Sequence, residues 1–203
     1  MFAVQHLSQF NANPGPAHWT AAQHVIHYLY ATKHKSLVLG GSTINLEGWV
    51  DSNWGACVDS RRSILGYAFS LGAGLVSWSS KKQPTVVTSS TEAEYVASCH
   101  GAKEAVWMRS LLKFLGFAQN IATTIHCDNV RSNFLMRDPS FHARTKHIDI
   151  QHHYVREKVE SGELHYTYIP SHDNLADSLT KSLPRPQFLK LTGLMGMRDN
   201  CPT

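Results

Sequence analysis

The sequence predicts an α/β fold: a mixed five-stranded sheet, three antiparallel strands followed by two more, flanked by helices and preceded by a helical appendage. Three observations predict it. Residues 46–53, 63–71 and 74–80 alternate apolar and polar side chains and are joined by short turns, the pattern of an antiparallel meander. Residues 91–115 then switch to helical period. After them, strand-like segments at 123–128 and 164–169 alternate with helical ones.

The elements follow in order. A Pro14, Gly15, Pro16 break precedes residues 17–33, where Trp19, Ala22, Val25, Ile26, Leu29 and Tyr30 recur at helical spacing. This amphipathic helix reads equally as a docking element or as a helix packed on the domain's own core. The first strand spans Leu46 to Asn53, and residues 58–62 connect it to the second, where Leu65, Tyr67, Phe69 and Leu71 alternate. The third, GLVSWSS, is reached through the Gly72, Gly74 turn. The long helix closes at Gly116. After the strand TTIHCD comes a helical stretch, NVRSNFLM, at 129–136, ended by Asp138 and Pro139. Within 146–161, Ile148, Val155 and Val159 share one stripe and Gly162 ends the helix. The strand LHYTYI stops at Pro170. SHDNLADSLTKSL reads as a closing helix with Leu175, Leu179 and Leu183 on one side, ended by Pro184 and Pro186.

Of 203 residues, 42% are hydrophobic and only 17% charged, which favours a packed core over disorder. The apolar runs at 105–108 and 110–115 are interrupted by Arg109 and Lys113 and are too short to span a bilayer. The opening MFAVQHLSQF lacks the marks of a secretory signal, so an intracellular protein, cytoplasmic or nuclear, with no membrane partner is expected. Cys57, Cys99, Cys127 and Cys201 show no CxxC spacing and read as thiols. A net charge of +4 suits a polyanionic partner without establishing one.

The chemistry lies in the acids. Counting along the long helix from Glu94 by 3, 7, 11, 14, 18 and 21 meets Ala97, Gly101, Ala105, Met108, Leu112 and Leu115, all apolar or small, so Glu94 lies on the buried stripe. Glu92, about 200° around the helix, is expected to be solvated. A capping box from Thr91 to Glu94 would satisfy that carboxylate locally. Against the cap, Asp51 interrupts an apolar strand and Asp128 ends another, and strand carboxylates are costly if buried unpaired. Three converging acids with no Lys or Arg among them would raise one another's pKa or recruit a divalent cation, and Mg²⁺ suits hard oxygen ligands.

Several motifs occur in order: GWVDSNWG (48–55), KKQ (81–83), SSTEAEY (89–95), CDN (127–129), RTKHIDIQHHYVRE (144–157) and SHDNLADSLTKSLP (171–184). Across residues 46 to 190 they closely resemble the ribonuclease H domain of copia-type LTR retrotransposon polyproteins. The upstream FAVQHLSQFNANPGPAHWTAAQHVIHYL is similar to the tail of the same polyprotein's reverse transcriptase, without a polymerase aspartate-pair motif. The resemblance implies a ribonuclease H-like fold and three parts: a helical reverse transcriptase remnant at 1–44, the ribonuclease H-like domain at 45–190 and a tail at 191–203. It carries the catalytic, metal-binding acids onto Asp51, Glu94, Asp128 and Asp177. Asp177 rests on the resemblance alone, since by itself it is an early-helix acid favoured by the dipole. The implied activity is hydrolysis of the RNA strand of RNA:DNA hybrids by two Mg²⁺ ions about 4 Å apart, with Mn²⁺ able to substitute. The implied partners are the hybrid and the polyprotein's reverse transcriptase, and no small-molecule partner. His172 stands in the loop where related enzymes can carry a mobile histidine that assists proton transfer or product release.

Arg61, Arg62, Lys81 and Lys82 are candidate phosphate contacts, and read equally as solvated turn residues. Recognition of a hybrid would rest on groove shape and 2′-hydroxyls and leave base identity unread. The histidines at 142, 147, 152, 153 and 165 follow no zinc-ligand spacing, and Asp149 with His153 reads as a surface ion pair. Trp49, Trp54, Trp78 and Trp107 could stack on bases, but strand-side aromatics are usually core. A rival function, from another class, is a catalytically idle remnant that binds nucleic acid or a protein through the N-terminal helix.

Overall fold

The computed structural model describes residues 1–41, 44–57, 60–87, 89–128 and 146–199. Two helices, α1 (Phe2–Ser8) and α2 (Pro16–Ala31), lead into a short strand β1 (Lys35–Leu37). The meander follows as β2 (Leu46–Asn53), β3 (Ile64–Leu71) and β4 (Gly74–Lys82), then α3 (Ser90–Phe114) and β5 (Thr123–Cys127). The chain closes with α4 (Lys146–Glu160), β6 (Leu164–Tyr168), a 3₁₀ turn (Ser171–Asp173), the single-turn helix α5 (Asp177–Thr180), α6 (Arg185–Leu194) and β7 (Met197–Asp199). The helical stretch expected at 129–136 lies outside the described residues, as does part of the 58–62 connection.

The sheet runs β4-β3-β2-β5-β6, antiparallel across its first three strands and parallel at β2–β5 and β5–β6. This is the mixed five-stranded architecture the periodicity predicts. One face packs on α3 and α4: Leu46, Val50, Phe69, Ile125, Leu164 and Tyr166 of the strands meet Tyr95, Cys99, Ala102, Met108 and Leu112 of α3 and Val155 of α4. Of the six residues counted from Glu94, all but Leu115 are buried; Leu115 caps the helix end and is exposed. Gly101 brings α3 close to the sheet, because a Cβ there would lie 2.4 Å from Val50 Cγ1. On the other face, Leu175, Leu179, Leu191 and Met195 cover Ala68 and Leu75, with Trp49 and Leu183 at their margin.

Four short elements carry no sequence signal. β1 and β7 pair antiparallel, Lys35 with Asp199 and Leu37 with Met197, and so tie the two flanks of the chain together. The Lys35 ammonium lies 2.7 Å from the Asp199 carboxylate. Pro186 opens α6 where the sequence reads it only as a terminator. α1 touches β4 and α5, and Gln9 just beyond it accepts a hydrogen bond from Lys82 at 2.7 Å.

The closing helix expected over 171–183 is instead two separate turns. Asn174 breaks it: its backbone is extended, and its buried side chain donates to the Val50 carbonyl at 2.9 Å and accepts from the Ala176 amide at 3.1 Å. Those bonds fasten the segment to β2 beside Asp51, a stronger claim on the residue than continuing a helix. The tryptophans also depart from expectation. Trp54, Trp78 and Trp107 are exposed, and only Trp49 packs inward, its ring 5.2 Å from that of His126. Cys57, Cys99 and Cys127 are buried thiols, not disulfide-bonded. Among the described residues no helix is long and apolar enough to cross a membrane.

Candidate active site

β2 and β5 run parallel, with Trp49 opposite His126, so extending that register by two residues sets Asp128 beside Asp51 at their carboxyl ends. The N-terminal end of α3 meets this same end of the strands and supplies Glu94 from just past its first turn. Its cap is not the expected Thr91: the Ser89 hydroxyl accepts from the Glu92 amide at 3.1 Å, two residues earlier. Glu92 therefore takes the third position of the turn and is half-buried, not solvated. Glu94 is released from capping and faces the other acids.

One carboxylate oxygen each from Asp51, Glu94 and Asp128 lies within 4.8 Å of the others. Asp51 is 1% exposed and Glu94 7%, and Glu94 Oε2 has no hydrogen-bond partner among the described residues. A buried carboxylate oxygen without a donor is costly. Burial pushes the Glu94 carboxyl well above its ordinary range, and the charges of Asp51 and Asp128 push it further. Asp51 is raised as well, first by burial and then by Asp128, against the pull of Lys181 and Thr180. This donor set fits a divalent cation: hard oxygens only, close together, with one buried oxygen lacking a donor.

Asp177 is buried in α5 but joins the three acids indirectly. Lys181 Nζ lies 2.9 Å from Asp177 Oδ1 and 3.9 Å from Asp51 Oδ2. The expectation of no basic residue among the acids is thus corrected. The chain turns extended after Thr180 and brings the Lys181 ammonium back over the acids. Burial raises the Asp177 carboxyl to about 7, Asp51 adds to the rise, and Lys181 opposes it. Burial works to lower the pKa of Lys181, but Asp51, Asp177 and Asp128 together outweigh it and the net shift is upward.

Close approach of α5 depends on Gly66, the register partner of Asp51 on β3. A Cβ there would lie 2.7 Å from Thr180 Cγ2 and 3.2 Å from the Ala176 carbonyl oxygen. Two hydroxyls then hold acids in place: Thr180 donates to Asp51 Oδ2, and Ser171 donates to Asp128 Oδ2 at 2.5 Å. Sequence reasoning missed Ser171, Asn174, Thr180 and Lys181; each lies in the quoted SHDNLADSLTKSLP, the only signal that pointed near them.

The remaining candidates scatter. His172 is exposed, and its Nε2 lies 3.2 Å from Asp173, not from any of the four acids. Arg61 is exposed in a left-handed backbone conformation (φ 54°), Arg62 is half-buried and Lys81 is exposed. Lys82 is half-buried and engaged by Gln9. His153 and His165 are exposed, while residue 142 and the side chains of 147, 149 and 152 lie outside those described.

Comparison with known proteins gives concordant results. A scan against protein-family models found no match. The chain is 39% identical over 198 residues to the retrovirus-related Pol polyprotein from transposon TNT 1-94 of Nicotiana tabacum, covering 98% of this chain and 15% of that polyprotein. It is 40% identical over 197 residues to the Pol polyprotein from transposon RE2 of Arabidopsis thaliana, covering 97% of this chain and 14% of that one. Among solved structures, an RNase H1 isolated from compost superposes with a TM-score of 0.51 at 16% identity, over 68% of this chain and 93% of that one.

Proposed function

The chain belongs to the retrovirus-related Pol polyproteins of transposons, of which it spans 14–15% of the length, and on that premise we propose that it is their ribonuclease H, cutting the RNA strand of RNA:DNA hybrids with divalent metal. The observation that carries this reading is the trio of buried Asp51 and Glu94 with half-buried Asp128, with its unpartnered Glu94 Oε2, in a ribonuclease H-like fold. These three would hold Mg²⁺ or Mn²⁺, with Asp177 completing the set, and the bound cations would activate water and stabilise the leaving oxygen.

The chain's own residues do the rest. Ser171 and Thr180 orient Asp128 and Asp51 through their hydroxyls. Lys181 balances part of the negative charge between Asp51 and Asp177. Arg61, Arg62 and Lys81 contact backbone phosphates, with Lys82 available where it gives up Gln9. His172, exposed beside Ser171, would assist proton transfer or product release at the rim. In this reading residues 45–190 carry the site, residues 1–44 lead from the reverse transcriptase, and β1 on β7 anchors that lead to the far flank.

The test is cleavage of an end-labelled RNA:DNA hybrid in Mg²⁺ and in Mn²⁺, with Asp128→Asn as control. The expected outcome is metal-dependent cutting of the RNA strand alone, lost in the variant. The exposed Trp19, Ile26, Leu29 and Tyr30 of α2 favour the second reading, an idle interaction module, and folded protein that binds the hybrid without cutting it would select that reading.

A further inference from the structure

Resting on the metal-dependent reading above, we propose that Thr180 is a positioning residue that fixes the orientation of the Asp51 carboxylate toward Glu94 and Asp128. Its side chain divides two tasks between two branches. Cγ2 lies against Gly66 of β3 and seats α5 on the sheet. Oγ1 donates to Asp51 Oδ2 from a fully buried position, where water does not compete for the bond.

Asp51 needs such a hold. The carboxylate torsion of aspartate is broad and soft. Glu94 and Asp128 repel its charge, while Lys181, 3.9 Å from Oδ2 and 2.9 Å from Asp177, draws it the other way. Without the hydroxyl, the carboxylate turns toward Lys181 and away from the two acids with which it would share a cation. Thr180 touches neither substrate nor metal in this scheme; it acts through Asp51, as the partners of metal-ligating carboxylates do.

Two substitutions separate the branches. Thr180→Val keeps the Cγ2 contact and removes the hydroxyl, whereas Thr180→Ser keeps the hydroxyl and removes the methyl. The primary readout is the Mn²⁺ concentration that gives half of the maximal rise in melting temperature, which requires no turnover. Thr180→Val is expected to raise that concentration about tenfold or more and to lower kcat on a hybrid with little change in KM. Thr180→Ser is expected to melt lower in EDTA yet keep the wild-type Mn²⁺ midpoint. An unchanged midpoint in Thr180→Val, or equal weakening in both variants, overturns the proposal while leaving the metal site standing. Where Thr180→Val does not fold, the Thr180→Ser midpoint decides, a wild-type value supporting the proposal and a weakened one overturning it. A wild-type protein without any Mn²⁺ response overturns the metal-dependent reading itself, and the proposal with it.

Discussion

Glu94→Gln is expected to stabilise the metal-free protein and, in the same molecule, to abolish cleavage. Glu94 is 7% exposed, lacks a partner at Oε2 and is flanked by the charges of Asp51 and Asp128. Its ionised form is therefore the most strained of the cluster. Replacing it with a neutral amide of the same shape removes the repulsion and supplies N–H donors to neighbouring carboxylates. The expected gain at pH 7.5 in EDTA is about 1–3 kcal/mol, read by urea denaturation. The same change removes a cation ligand, and RNA-strand cutting falls by at least about 10³-fold. A variant that loses stability would place Glu94 in an ordinary structural role.

The second large effect is the pH dependence of stability without metal. Asp51, Glu94 and Asp177 all have folded-state pKa values above their unfolded ones, Asp177 reaching about 7. Between the unfolded values near 4 and that upper limit, the folded state binds more protons than the unfolded chain, so stability falls as pH rises. His100, whose pKa burial lowers, works in the opposite direction up to about pH 6.5. The Met1 amine, also lowered by burial, works in the same direction as His100 up to about pH 8, and the three acids outweigh the two. Melting temperature in EDTA is thus expected to drop by several degrees from pH 5 to pH 8 and to drop less in Glu94→Gln. With 10 mM Mg²⁺ the fall should be cancelled, since the cation binds the deprotonated carboxylates. A flat profile in EDTA would contradict the electrostatic strain assigned to the cluster.

The strands, the long helix and the buried position of Glu94 were legible because each repeats a local period. Asp51 and Asp128 stood out as carboxylates in apolar strands, and the parallel β2–β5 register supplies the neighbourhood that periodicity could not. The residues that complete the site act at long range. Asn174 reaches Val50 across 124 positions and Thr180 reaches Asp51 across 129, and no window of local sequence encodes such a contact. Lys181 gives no local signal for the same reason: its place among the acids exists only once Asn174 has broken the closing helix and Gly66 has let α5 descend. The three-residue strands β1 and β7, KSL and MRD, are too short to show alternation. The cap was missed by two residues because Ser89–Glu92 and Thr91–Glu94 carry the same spacing, and Glu94 alone also lies on the core stripe.

The most direct test of a shared cation site built by acids from separate elements is a Mn²⁺ titration of the purified chain, free ion being followed by electron paramagnetic resonance. Saturable binding of about two Mn²⁺ per chain, displaced by Mg²⁺ and lost in Asp51→Asn, is the expected result. Folded wild-type protein that leaves millimolar Mn²⁺ unbound would contradict it.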